Sequence, residues 1–276
     1  PAGLYTVLYD GRGKINFNGP RVIEDTPGRM VIDVDPARGG FFLQVRETDP
    51  ADYVRNIRVI MPGFEKTYRD EPWHPAFLKR WRGFTSLRFM DFMHTNNSPI
   101  ETWDDRPRLE NATWTGAGGI PLEMLCDLAN RQQADPWFCM PHLADDDYVR
   151  NFAEQAKKLL APNLNIYIEY SNEVWNGQFA QSRWAGERGI ELKFADKSWE
   201  AAWKFTGYRS SQIFKIWEEV FGGADRLVRV LASQAANPYV SHRVVEFQDA
   251  YRQADALAIA PYVSMNVPQN EAEAVV

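Results

Sequence analysis

Apolar and polar positions alternate with a period of two along the first fifty residues. The run Tyr5-Thr6-Val7-Leu8-Tyr9 is rich in β-formers and stops at Asp10-Gly11, a turn pair. Residues 14–17, 29–34 and 41–45 keep the same rhythm, the last two separated by a turn-prone stretch at 36–40. Turn signals about every 8–12 residues predict a small β-rich, sandwich-like region over residues 1–55.

After Asp52 the period changes. Short apolar runs at 56–61, 86–93, 136–140, 165–170, 226–231 and 256–260 read as strands. Between them, 74–80, 121–132, 146–160, 199–221 and 240–252 read as helices. Leu122, Leu125 and Leu128 share one helix face, as do Phe152, Ala156 and Leu159. Asp145 or Asp146 can cap the helix that follows, and Gly222-Gly223 can end the long one. Successive strand starts lie at least about 29 residues apart, the length of a right-handed βαβ unit. Six such units over residues 56–276 predict an α/β fold, a (β/α)8 TIM-type barrel, with a doubly wound sheet as the other topology of this pattern. Eight strands are needed to close such a barrel. The expectation is therefore a C-terminally incomplete barrel, with strands seven and eight in a further segment of the same polypeptide beyond Val276.

Composition narrows the partners. The 276 residues are 45% apolar and 25% charged, ordinary for a globular chain able to bury a large core. No apolar run reaches 18 residues, so no membrane partner is expected. A net charge of −6 argues against nucleic acid. Cys126 and Cys139 each lie in an apolar stretch and read as free core thiols. The four His show no metal-ligand spacing, so neither metal nor cofactor is expected. Gly116-Ala117-Gly118-Gly119 has no strand before it and lacks the full dinucleotide fingerprint. Ten Trp are notable because stacked aromatics bind the apolar C–H face of a pyranose; Trp103, Trp114 and Trp175 are candidate platforms.

In a (β/α) barrel, functional residues gather at the C-terminal strand ends. The second strand ends near His94, the third at Pro141-His142, the fourth at Ser171-Asn172-Glu173-Val174-Trp175, and the sixth at Pro261-Tyr262. Along the fourth strand, Tyr167, Glu169, Ser171 and Glu173 share one parity while Ile166, Ile168 and Tyr170 share the other. The aliphatic parity packs on helices, so both glutamates point inward. Glu169 lies deeper and calls for an ion pair, with Arg88 as the partner. Glu173 sits at the mouth, the place for a general acid.

Glu169-Tyr170-Ser171-Asn172-Glu173 resembles the Glu-x-x-Asn-Glu fourth-strand motif of the clan A retaining glycoside hydrolases, the superfamily of (β/α)8 cellulases and mannanases. The resemblance covers residues 56–262. It implies that Glu173 is the acid/base and that Asn172 binds a sugar hydroxyl. Arg88 matches the second-strand Arg of the cellulase-like family 5, His142 a substrate-binding His, and Tyr262 the Tyr neighbouring the nucleophile. His94 and Trp175 complete the expected rim. The run at 168–176 is also similar to bacterial proteins described as cellulose-binding. The implied activity is retaining hydrolysis of a β-linked polysaccharide or oligosaccharide, and the implied location is secreted or periplasmic. The family's nucleophile is a Glu ending strand seven. Glu271 and Glu273 come too early for it, and Glu246 falls inside an expected helix. Two other readings use the same scaffold: a non-catalytic carbohydrate-binding protein, and a structural subunit with a borrowed barrel.

Overall fold

The computed structural model of the protein describes residues 1–261. The chain divides into two compact units, the first ending at Arg80.

The first unit contains β1 (Gly3–Asp10), β2 (Gly13–Asn18), β3 (Arg21–Thr26), β4 (Arg29–Val34), β5 (Phe42–Thr48) and β6 (Arg55–Ile60). Four of them form an antiparallel sheet in the order β3-β4-β1-β6, and β2 pairs with β5 as a separate ribbon. Period-two alternation sends Tyr5, Val7 and Tyr9 of β1 into one core with Ile15, Phe17, Met30, Ile32 and Val34. Tyr5 stands opposite Ile32 and Val7 opposite Met30, so cross-strand pairs build this core directly. The strand expected to open the barrel is β6, and it pairs antiparallel with β1 instead, Thr6 opposite Ile60. An apolar run ending at Pro62-Gly63 looks the same in either setting; long-range pairing decides. The helix α1 (Pro75–Trp81) follows.

The second unit holds β7 (Ser86–Arg88), β8 (Asp135–Met140), β9 (Ile166–Tyr170), β10 (Leu227–Ala232) and β11 (Ala256–Ala258). They lie in chain order in one parallel sheet. The helices are α2 (Leu122–Gln132), α3 (Asp146–Leu159), α4 (Ala180–Glu191), α5 (Ser198–Phe221) and α6 (Pro238–Val245). The architecture is thus an open, half-barrel parallel sheet with antiparallel sheets before it. Among the described residues it is not a closed (β/α)8 barrel preceded by a sandwich, and five parallel strands replace the six expected. Alternation of strand and helix fixes parallel pairing and crossover hand, but closure depends on strand number and shear, which local pattern does not encode.

One sheet face is covered by helices. Ile166, Ile168 and Tyr170 are buried there, each such side chain contributing about 1.5–3 kcal/mol. Phe138 meets Phe152 of α3 at 5.1 Å and Trp217 of α5 at 6.4 Å, and Tyr170 meets Phe205 of α5 at 6.3 Å. The Asp145 side chain caps α3 by accepting from the Tyr148 N–H at 2.6 Å. Gly222, in the left-handed region at φ 77°, ends α5. The sequence pattern gave no sign of α4, because Gly186 and Gly189 weaken its helical signal. They serve close packing: a Cβ on Gly189 would lie 2.4 Å from the Ala201 carbonyl oxygen of α5. No helix among the described residues is long and apolar enough to cross a membrane.

Candidate functional site

The sheet face opposite the helices carries the polar residues. Register sets Arg88 beside Trp137, Trp137 beside Tyr167, and Cys139 beside Glu169. Glu169 is 2% exposed. Arg88 forks onto it, Nε donating to Oε2 at 3.1 Å and Nη2 lying 2.9 Å from both oxygens. Trp137 Nε1 donates to Oε2 at 2.8 Å, and the Cys139 thiol lies 3.6 Å from the same oxygen. Burial pushes the Glu169 carboxyl above the usual carboxylate range, and the Arg88, Trp137 and Cys139 donors pull it back. All of them are donors, so the set fits the ionised carboxylate. Burial works against the Arg88 charge as well, but the forked ion pair with Glu169 outweighs it and holds the guanidinium above its ordinary value. Burial keeps the Cys139 thiol protonated by raising it well above the ordinary thiol range.

The chain leaves β9 through an unusual turn. Ser171 and Glu173 both adopt the left-handed region, at φ 56° and 44°, on either side of Asn172. Non-glycine residues enter it at a cost of roughly 1–2 kcal/mol each, a form of strain that collects at functional sites. Asn172 Oδ1 accepts from Arg88 Nη2 at 3.0 Å, and its Nδ2 donates to Asn96 Oδ1 at 2.9 Å. Glu173 Oε2 accepts from Asn176 Nδ2 at 3.0 Å. The strand stops at Tyr170, so this turn, not strand parity, carries Glu173 to the mouth.

These groups line a cleft of about 530 Å³. Arg88, Met90, Trp137, Glu169, Asn172, Glu173 and Trp175 form part of its wall, and Ala232, Ser233 and residues 257–261 the rest. Trp137 is stacked on Tyr167, with ring centroids 5.2 Å apart, and Arg88 lies 5.3 Å from its ring centre.

Four of the expected site residues, Arg88, Asn172, Glu173 and Trp175, therefore meet in one cleft. His142 does not line it. Its ring is buried edge-on against Trp184 at 6.0 Å, Nδ1 has no hydrogen-bond partner, and burial lowers its pKa to about 4. His94 is exposed in a left-handed turn at φ 48°, away from the cleft lining. The cause is the brevity of β7: the chain coils after Arg88, with the Met93 N–H bonded to the Phe89 carbonyl. Tyr262, Glu271 and Glu273 lie outside the described residues. Trp103 packs on Tyr148 beneath Arg106, and neither it nor Trp114 lines the cleft.

Sequence reasoning missed Trp137, Asn96 and Gln181. Trp137 was recoverable, because it shares strand parity with Cys139 and lies two residues from it. Asn96 falls at the expected end of the second strand but has no role there that the sequence shows, and Gln181 gives no local signal; they meet across 85 positions, Gln181 Nε2 donating to Asn96 Oδ1 at 2.7 Å. Among the described residues, no three His, Cys, Asp or Glu side chains stand close enough together to hold a metal ion. No family model, curated protein or solved structure matches the chain.

Proposed function

We propose that this protein acts on a β-linked polysaccharide or oligosaccharide as a retaining glycoside hydrolase, with Glu173 as the acid/base. The observation that carries the reading is the position of Glu173. It stands at a strand mouth, directly after an Asn fixed by Arg88, in a cleft that two indoles, Trp137 and Trp175, also line. A carboxylic acid there can protonate a departing glycosidic oxygen and then, as carboxylate, take a proton from the entering water. The tryptophans offer apolar faces to a sugar ring. With a polymeric substrate, too large to enter a cell, this reading carries a secreted or periplasmic location with it.

Retention needs a second carboxylate about 5–5.5 Å from the first. The other carboxylate lining the cleft among the described residues is Glu169, and Arg88 and Trp137 already occupy it. That engagement favours a second reading, non-catalytic carbohydrate binding in the same cleft. One pair of measurements separates the two. Hydrolysis of β-linked hexasaccharides should fall about 10²–10⁴-fold in Glu173→Gln, with less loss on aryl glycosides whose leaving group needs no proton. Calorimetric binding of the hexasaccharides without any turnover would support the binding protein and overturn the enzyme.

A further inference from the structure

Gln181 is completely buried, and main-chain groups fix which way its amide points. Its Oε1 accepts from the Asn97 N–H at 3.0 Å, and its Nε2 donates to the Asn172 carbonyl at 2.8 Å. A main-chain N–H only donates and a carbonyl only accepts, so a flipped Gln181 would meet donor with donor and acceptor with acceptor. With Nε2 fixed, Asn96 must present Oδ1 to it. The Asn96 Nδ2 then takes the side of the Met90 sulfur, at 4.0 Å. Asn96 Oδ1 is the acceptor for Asn172 Nδ2, so Asn172 must in turn present Oδ1 to Arg88. Orientation passes from the main chain through three amides to the residue beside Glu173. A second bond ties the same loop down: Asn97 Oδ1 accepts from the Ala180 N–H at 2.7 Å, at the start of α4.

We infer that Asn96 and Gln181 are positioning residues, an amide relay that sets the donor and acceptor sides of Asn172 and steadies the strained turn bearing Glu173. Neither residue is among those that line the cleft, so each acts through Asn172. The kinetic consequence rests on the hydrolase reading above; the structural one does not.

The test uses the full chain, with Asn96→Ala, Asn96→Asp and Gln181→Glu. The first readout is the Asn172 side-chain amide in ¹H–¹⁵N spectra, assigned by its disappearance in Asn172→Asp. In the unaltered protein its two protons should be well separated, one held by Asn96. Asn96→Ala should collapse that separation. Asn96→Asp should keep it, because a carboxylate offers oxygens to both donors. Gln181→Glu, equal in size but with an acceptor where Nε2 stood, should disturb it. The second readout is hydrolysis of 4-nitrophenyl β-glycosides and β-linked hexasaccharides: kcat should drop about 100-fold in Asn96→Ala with KM little changed, and Asn96→Asp should recover most of it. An Asn172 signal untouched by Asn96→Ala and Gln181→Glu overturns the relay. If Asn96→Ala does not fold, the contrast between Asn96→Asp and Gln181→Glu decides, and equal behaviour of those two overturns it. Spectra that respond as stated in a protein without hydrolysis leave the relay standing and remove the hydrolase reading instead.

Discussion

Arg88 and Glu169 form a forked ion pair in which one partner is sealed and the other reaches solvent: the Glu169 side chain is 2% exposed, that of Arg88 34%. Losing either partner should therefore not cost the same. Arg88→Met strands a buried carboxylate and should destabilise by about 3–5 kcal/mol. Glu169→Gln leaves an arginine that can still turn to water, and should cost less, about 1.5–3 kcal/mol. Urea unfolding of both variants checks the order; losses under about 1 kcal/mol in both would mean that solvent screens the pair.

Ser171 is buried with a left-handed backbone and an unpartnered hydroxyl. Ser171→Gly removes the strain and the orphaned group, against the entropy glycine adds to the unfolded chain. The balance should lie between neutral and about 1 kcal/mol stabilising, whereas Ser171→Val, which tolerates that φ worse, should destabilise. A thermal midpoint unchanged or raised in Ser171→Gly and lowered in Ser171→Val is the expected result.

His142 should make the fold acid-sensitive. Its pKa is about 4 in the folded protein, because burial disfavours the charge, against about 6.5 when unfolded. Between those values the unfolded chain binds more protons, so stability rises with pH there. The contribution is complete above about pH 6.5 and is lost as the pH falls towards 4, on the order of 3 kcal/mol in all. His142→Phe should flatten this part of the profile; chemical unfolding at pH 4.5 and 7 in both proteins measures it.

Gly189→Ala should loosen the α4–α5 pair. Its new Cβ would press on the Ala201 carbonyl, an overpacking cost of about 1–3 kcal/mol. Gly177→Ala meets nothing within 4 Å and should change stability by no more than about 0.5 kcal/mol. Guanidinium denaturation of the two, side by side, separates close packing from a general intolerance of alanine.

The parts of this molecule that local pattern revealed are those decided by local physics. Parity along β9 placed Glu169 opposite the helices, and its inward burial named Arg88 as its partner. Asp145 and Gly222 marked helix ends as capping chemistry requires. The place of β6 is not legible locally, because its antiparallel partner β1 lies about fifty residues upstream and an apolar run does not name its partner. His94 was misplaced because an apolar run at 86–93 reads as one strand, while the Phe89 and Phe92 rings instead stack on each other as the chain coils. The amide relay lay beyond reach for the same reason, since its members come from a loop, a strand end and a helix that the pattern did not show.

The location of Gln181 ties the site to a part of the molecule other than the sheet. It belongs to the first turn of α4, a helix that rests chiefly on α5. Sub-global opening of α4 would free Asn96 and Asn172 while the parallel strands stayed paired. Competence of the cleft and persistence of the fold are then two separate stabilities, and the smaller one sets how often the site is ready. A chain could pass every test of being folded and still spend much of its time disarmed.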